Sequence, residues 1–296
     1  MVQHAELYRP LRLGEHEIRN RIVFPPTASV TGIVTPQGLD WYGRIARGGA
    51  GLIIVEGTDL ELFSRVDFAR GLARLAQVIR DHGALPAIQL FRKAAGPDGK
   101  ALSVSGDKGS RAATTAEVAA IPAEFAHAAK VSFDAGFAAV EPLGAHGFFI
   151  NQFLSQITNR RNDEYGGSLA NRMRLGLEIV RGVRAVTPPG VLVFYRHTPE
   201  QANGYTLAES LKFVAALESA GLDVLDVSPS SREGGPHAGL AEAFRDAVKC
   251  PIIAVGGMDD PSAACSVLAR GKVDMVAICR GLIADPEWPQ KVASGS

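Results

Sequence analysis

One stretch of the sequence, VEPLGAHGFFINQFL (140–154), has the composition of a catalytic turn. An apolar run ends at Glu141, and His146 then lies among glycine and small residues. Histidine is a frequent proton donor and acceptor in enzymes. Leu143 and Phe148, however, leave this histidine without a polar neighbour at the positions where one would act with it. We interpret the stretch as part of an active site with His146 as the candidate catalytic residue.

Two glycines and an arginine near the C-terminus indicate a phosphate site. Gly256 and Gly257 follow one apolar run and allow backbone amides to approach an anion closely. Arg280 follows the next apolar run and offers a fork of donors that suits phosphate oxygens. The alternative is a tight turn with a surface arginine. The combination of the two glycines with Arg280 favours a phosphorylated ligand.

Arg196 closes a further apolar run, and another run, 85–90, carries Gln89. A buried arginine needs an acceptor, which could be the electron-rich edge of a flavin, a substrate carboxylate, or an internal salt bridge with Glu141 or another carboxylate. Gln89 both donates and accepts, which suits an amide-like ring edge, although a structural glutamine has the same chemistry. The residues alone leave these alternatives open.

The elements that must position these residues alternate along the chain. Apolar runs typical of strands covered on both faces occupy residues 21–24, 51–56, 85–90, 137–141, 191–196, 224–227, 251–255 and 274–279. Helical patterns lie between them at 39–47, 68–82, 114–135, 168–186, 207–220, 240–248 and 261–269. This alternation predicts an α/β fold, a single (β/α)₈ TIM barrel over residues 1–296, with function at the carboxyl ends of the strands. An open doubly wound sheet is disfavoured because no G-x-G-x-x-G follows the first strand.

Composition narrows the function classes. Lys plus Arg and Asp plus Glu number 31 each, so charge gives no indication of nucleic acid or of an anionic membrane. The N-terminus lacks the apolar region of a signal peptide, no run is long enough to span a bilayer, and the three cysteines match no metal motif, so we expect a cytoplasmic protein with reduced thiols. The strand ends carry neither a lysine for a Schiff base nor a metal cluster, which predicts that a cofactor performs the difficult step.

Four segments resemble the Old Yellow Enzyme family of FMN-dependent oxidoreductases. They are LYRPL (7–11), AGLIIVE (50–56), NQFLSQITNRRNDEYGGSLANRMR (151–174) and VGGMDDPSAACSVLARGKVDMVAICRGLIADPEWPQK (255–291). The resemblance implies FMN, with NADPH or NADH as reductant and a small-molecule substrate. It places the FMN phosphate on Gly256, Gly257, Cys279 and Arg280, and the isoalloxazine against Pro25, Pro26, Thr27, Gly57, Gln89, Arg196 and Ser228. It also implies dimers or tetramers, so a homodimer remains open.

The departures from the family pattern concern the substrate side. The resemblance implies two His, or His and Asn, at the positions of Leu143 and His146, and a proton-donating tyrosine at Phe148. A loop histidine is likewise replaced by a segment containing Arg92, a candidate contact for an anionic substrate together with the adjoining Lys93. The expected activity is reduction of an activated C=C bond, or the reverse oxidation, at an atypical site. A non-reductive flavin reaction such as cyclisation or desaturation, and FMN binding with little catalysis, are the alternatives.

Overall fold

The computed structural model describes residues 4–96, 99–107, 109–230 and 237–295. In these ranges the strands, in chain order, are β1 (Leu11–Leu13), β2 (His16–Ile18), β3 (Ile22–Phe24), β4 (Leu52–Asp59), β5 (Leu85–Phe91), β6 (Leu102–Ser103), β7 (Arg111–Ala112), β8 (Ala139–Gly144), β9 (Leu192–His197), β10 (Val224–Val227), β11 (Ile252–Val255) and β12 (Met275–Ala277). The α-helices are α1 (Pro36–Arg47), α2 (Val66–Asp81), α3 (Thr115–Asp134), α4 (Phe149–Leu154), α5 (Leu169–Val186), α6 (Leu207–Ser219), α7 (Ala238–Glu242), α8 (Pro261–Ala269), α9 (Arg280–Ala284) and α10 (Trp288–Ser294).

A closed parallel barrel of eight strands confirms the predicted fold class. The strands follow each other around the barrel in the order β3, β4, β5, β8, β9, β10, β11 and β12, and β12 pairs with β3 to close it. Every predicted strand overlaps one of these eight. Their residues are almost entirely buried because side chains face either the barrel interior or the surrounding helices.

The two faces of the barrel form two separate cores. The interior core contains residues such as Val23, Ile54, Phe194 and Ile253, and the β1–β2 hairpin adds Leu13 and Ile18 to it. The outer core joins the opposite strand faces to the helices. The hairpin therefore contributes apolar side chains to the barrel interior, and the sequence patterns did not predict it.

Local signals explain where the helices begin. Thr114 and Glu117 form a reciprocal capping box at the start of α3, and Thr206 and Glu209 do the same at α6. Glycines with positive φ, such as Gly136 and Gly221, end these helices before the next strand.

Some predicted boundaries were wrong. The helix predicted at 240–248 is only the short α7, because the chain then turns and Arg245 donates to the carbonyls of Val248 and Cys250 at 2.7 Å each. The segment 91–113, predicted to be irregular, contains β6 and β7, while its residues 97, 98 and 108 lie outside the described part. The helix α4, directly after the His146 turn, was not predicted. Cys250 is buried as expected, whereas Cys265 and Cys279 are half-buried.

Candidate active site at the carboxyl end of the barrel

Polar side chains from four successive strands meet inside the carboxyl end of the barrel. Gln89 of β5 is paired in register with Glu141 of β8, and Arg196 of β9 with Asp226 of β10. Register partners in a sheet point to the same face, which brings these side chains into the barrel interior. The Gln89 amide donates to Glu141 Oε1 at 2.8 Å, and all four residues are buried.

Arg196 has both a partner and unused donors. Its Nη1 lies 3.4 Å from Asp226 Oδ2, and its Nη2 donates to Ser228 Oγ at 2.9 Å. Within the described ranges, however, Nε and Nη1 are buried and donate to no hydrogen-bond acceptor. Buried donors are normally satisfied, so these two indicate a ligand that accepts from the guanidinium. The internal salt bridge and the ligand, alternatives in the sequence, are thus compatible with each other.

The pKa values of the two carboxyl groups near Arg196 are both raised. Burial raises the pKa of Glu141 well above its ordinary value, and the charge of Asp226 adds to this effect, while Arg196 opposes it. Burial also raises the pKa of Asp226, which Arg196 and Glu141 partly counteract. Asp226 was not among the predicted site residues, although a single acidic residue within an apolar strand is the signal that could have identified it.

The His146 turn is held by a network of buried polar groups. Its backbone amide donates to Thr198 Oγ1 at 2.9 Å, and the next amide donates to Asn151 Oδ1 at 2.8 Å. Asn151 donates to the Tyr205 hydroxyl at 2.9 Å, which in turn donates to the Thr198 carbonyl at 3.0 Å. His146 itself has a φ of 57°, a left-handed conformation that is unfavourable outside glycine. The network stabilises this strained turn, and its members were not predicted to be functional.

The imidazole of His146 connects the turn to Arg196. His146 Nε2 lies 3.0 Å from Ser228 Oγ, which also accepts from Arg196. Ser228 thus joins the candidate catalytic histidine to the candidate cofactor-binding arginine. These three predicted residues, distant in the sequence, form one hydrogen-bonded unit.

A cleft of about 340 Å³ opens above this unit. Its lining consists of Pro26, Ala28, Gly57, Gln89, Phe91, Leu143, His146, Phe148 and Arg196. The rings of Phe91 and Phe148 meet edge to face, with centroids 5.3 Å apart, and Phe148 is 43% exposed. Leu143 is buried beside them. One wall of the cleft is therefore hydrocarbon at the two positions where the sequence predicted missing polar groups.

The remaining residues expected around the ring lie beside this cleft. Gly57 occupies a register irregularity in β4, and a Cβ there would approach Gln89 Oε1 to 3.1 Å. Thr27 Oγ1 lies 3.0 Å from the Pro25 carbonyl, to which it donates, and 3.2 Å from Cys279 Sγ. The segment after β3 and the end of β12 are consequently in contact.

The predicted phosphate residues converge at the ends of β11 and β12. Gly256 has a φ of 106° and Gly257 a φ of 69°, and this left-handed region favours glycine at both positions. A Cβ on Gly256 would lie 2.7 Å from His237 Cδ2. Arg280 is exposed at the start of α9, where the Gly281 amide donates to Asp259 Oδ1 at 3.0 Å.

Arg92 is not brought to the cleft. Its guanidinium pairs with Glu124 at 2.8 Å and lies over the Phe149 ring, 5.0 Å from the centroid. The neighbouring Lys93 pairs with Asp59 at 2.9 Å. Both cations face a separate depression outside the cleft, which was not foreseen because the direction of a side chain after a strand end depends on its local partners.

The described residues fit an FMN molecule. Arg196 offers two buried nitrogens that donate no hydrogen bond within the described ranges, and glycines lie where the ring and the phosphate would need close backbone approach. None of the helices in the described ranges combines the length and apolar character needed to cross a bilayer.

A model of the NADH:flavin oxidoreductase / NADH oxidase family matches residues 6–296. The chain is 35% identical to a NADH oxidase of Thermoanaerobacter brockii, covering 100% of this chain and 52% of that protein. It is 32% identical to a NADPH dehydrogenase of Clostridium acetobutylicum, covering 91% and 89% respectively. The chain thus spans about half the length of the first relative and nearly all of the second.

A solved structure of morphinone reductase superposes on the barrel with a TM-score of 0.84 at 28% identity. The superposition covers 98% of this chain and 90% of that one. A cinnamate reductase of Clostridium sporogenes is 28% identical over 98% of this chain and 53% of its own length.

Proposed function

Because the chain belongs to the NADH:flavin oxidoreductase / NADH oxidase family, within the FMN-dependent Old Yellow Enzyme group, we propose that it reduces an activated C=C bond of a small molecule. The observation that supports this most is the cleft that combines Arg196, with two unused buried donors, and His146. When bound, FMN supplies the transfer of hydride from NADPH or NADH to the substrate. The described residues supply binding, orientation and control of water.

In this proposal the FMN ring lies against Pro25, Pro26, Thr27, Gly57 and Gln89. Arg196 donates to its electron-rich edge, and Ser228 keeps that guanidinium in place. The phosphate binds at the other end of the site through backbone amides of Gly256, Gly257 and Cys279 and through Arg280. The residues for the ring and those for the phosphate follow different strands, as is common in barrels.

His146 is the proposed anchor of the substrate oxygen. Its exposed imidazole stands at the cleft and can rotate from Ser228 toward a carbonyl. Leu143, at the position of the second anchor, donates nothing. Loss of one oxyanion donor commonly lowers the rate by about 10²–10³. We therefore propose a slow or narrowly selective reductase.

No phenol stands at position 148 to donate a proton to the α-carbon. The 43% exposure of Phe148 admits water to this side of the cleft, and water is the proposed donor. A positioned general acid commonly contributes about 10²–10⁴ in rate. Arg92 has no part in this scheme for small neutral substrates, since it pairs with Glu124 outside the cleft. It stays a candidate only for the remote end of a long anionic substrate.

The experiment begins with the purified protein loaded with FMN. Anaerobic NADPH or NADH should bleach the flavin absorbance, and N-ethylmaleimide or cyclohexenone should restore it at a measurable rate. Phe148→Tyr should raise that second rate at least tenfold, because it places an acid at the α-carbon, and Leu143→His should add to the gain. Phe91→Tyr is the matched control, since it introduces a phenol on the facing ring 5.3 Å away.

Three results count against the proposal. Failure to bind FMN removes the site assignment. Failure of both nicotinamides to bleach the flavin contradicts the proposed reductase activity. An equal rise in the rate of flavin reoxidation from Phe91→Tyr contradicts the role proposed for position 148. Oxidation of a saturated ketone by the bound flavin, without reduction of either enone, would favour the reverse reaction.

A further inference from the structure

A pair of carboxyl groups lies fully buried beneath Arg196. Glu141 and Asp226 both have 0% exposure, and they project from the strands on either side of β9. In the described part of the chain, Glu141 Oε2 and both oxygens of Asp226 accept no hydrogen bond, although Arg196 Nη1 lies 3.4 Å from Asp226 Oδ2. Each carboxyl group affects the pKa of the other, so the two lie close together. They can therefore share a hydrogen bond when one of them holds a proton.

A hydrogen bond between two carboxyl groups needs a proton on one of them, because two carboxylates have only acceptors. The surroundings also contain too little positive charge for both to ionise. Arg196, 3.4 Å from Asp226, is the cation that faces the pair. Two buried carboxylates beside one guanidinium would leave an uncompensated buried charge, which is strongly unfavourable.

The contacts decide which group holds the proton. Asp226 lies beside the guanidinium, which favours its ionised form. Glu141 Oε1 already accepts from the neutral Gln89 amide, so its Oε2 can carry the proton and donate it to Asp226. The shifts in pKa agree with this assignment: burial and the charge of Asp226 raise the pKa of Glu141 well above its ordinary value, whereas the rise that burial causes in the pKa of Asp226 is opposed by Arg196 and Glu141.

Other ionisable groups nearby do not alter this balance. His146 Nε2 lies 3.0 Å from Ser228 Oγ, which accepts from Arg196 Nη2 at 2.9 Å. On β4, Glu56 accepts from the Tyr42 hydroxyl at 3.3 Å and from the Ser29 amide, outside the barrel interior.

We propose that Glu141 is a positioning residue that retains its proton at neutral pH and keeps the Arg196–Asp226–Glu141 group at zero net charge. The guanidinium is then fixed by Asp226 and Ser228, and its unused donors remain attractive to the electron-rich edge of FMN. This proposal rests on the FMN site of the proposed function, but the protonation of Glu141 can be measured without FMN. Loss of the proton at alkaline pH gives the group a net charge of −1 and weakens FMN binding.

The first measurement is an infrared spectrum of the FMN-free protein at pH 7. A protonated buried carboxyl group gives a carboxylic C=O band that shifts in D₂O. The band should move when glutamate is labelled with ¹³C at the side-chain carboxyl, and it should not move when aspartate is labelled. Absence of the band, or its response to labelled aspartate instead, overturns the assignment. This measurement does not require a variant to fold.

The second measurement is the FMN dissociation constant between pH 6.5 and 9.5 for three proteins. The wild type should lose affinity at least tenfold toward alkaline pH through one ionisation. Glu141→Gln, an uncharged isostere, should match the wild type at pH 7 within about threefold and show no such loss. Glu178→Gln is the control, since this half-buried glutamate on α5 accepts from the Tyr165 hydroxyl, away from the barrel interior.

The outcomes separate the two proposals. Much tighter FMN binding by Glu141→Gln at pH 7 would show that Glu141 is ionised there, because the variant would then have removed a negative charge. If Glu141→Gln still loses FMN affinity toward alkaline pH, the proposal is also overturned. If the wild type binds no FMN but shows the carboxylic band, the proposed function fails while the protonated pair stands.

Discussion

Gly144, the last residue of β8, gives the most direct test of how packing outside the barrel supports the site. A Cβ built on this glycine lies 2.0 Å from the Tyr195 hydroxyl oxygen and 2.2 Å from its Cζ. An ordinary contact starts near 3.4 Å, so the atoms would have to part by about 1.4 Å. Tyr195 is 1% exposed, and its ring packs edge to face on Phe213, so it has little space to retreat.

We expect Gly144→Ala to lower the free energy of unfolding by about 3 kcal/mol, the upper end of the usual cost of overpacking. At about 2–4 °C per kcal/mol for a chain of this size, the melting temperature should fall by roughly 6–12 °C. FMN affinity should fall as well, because Arg196 follows Tyr195 directly and would move with it.

Urea denaturation followed by circular dichroism measures the loss of stability, and quenching of flavin fluorescence measures the loss of FMN affinity. Gly239→Ala in α7 is the control, because among the described residues no atom beyond its chain neighbours and its own helix lies within 4 Å of its added Cβ. It should change stability by no more than about 0.5 kcal/mol. A Gly144→Ala protein that matches this control in stability and FMN affinity would refute the packing argument.

Three further changes test other parts of the structure. The FMN-free Glu141→Gln protein should gain stability relative to the wild type as pH rises above about 4.3, by up to about 1.4 kcal/mol per pH unit. The reason is that the unfolded wild-type chain releases a proton that the folded chain retains. Urea titrations at pH 5 and 8 measure the difference in the free energy of unfolding. Thr114→Ala removes the cap of α3 and should cost about 1 kcal/mol in the same assay. Gly256→Ala should weaken FMN binding at least tenfold in an equilibrium titration, because its Cβ would lie 2.7 Å from His237 and its φ of 106° excludes other residues.

Much of the site could be predicted because strand ends are visible in the sequence. Gln89, Arg196 and Ser228 each lie at or near the carboxyl end of an apolar run, and parallel strands in a barrel bring such positions to one end. Gly256 and Gly257, which follow β11, were likewise recognisable, because paired glycines permit backbone conformations that other residues avoid. The sequence did not predict the direction of side chains beyond the strands: Arg92 follows β5 directly, and its guanidinium pairs with Glu124.

The sequence by itself determined the barrel, the family and the candidate site positions, because periodicity, glycine placement and residue identity are local properties. Only the tertiary structure decided that Glu141 and Asp226 share one buried environment with Arg196. It also decided that Ser228 joins His146 to Arg196. Charge state and hydrogen bonding depend on which groups lose water together, and that is fixed only when distant strands meet.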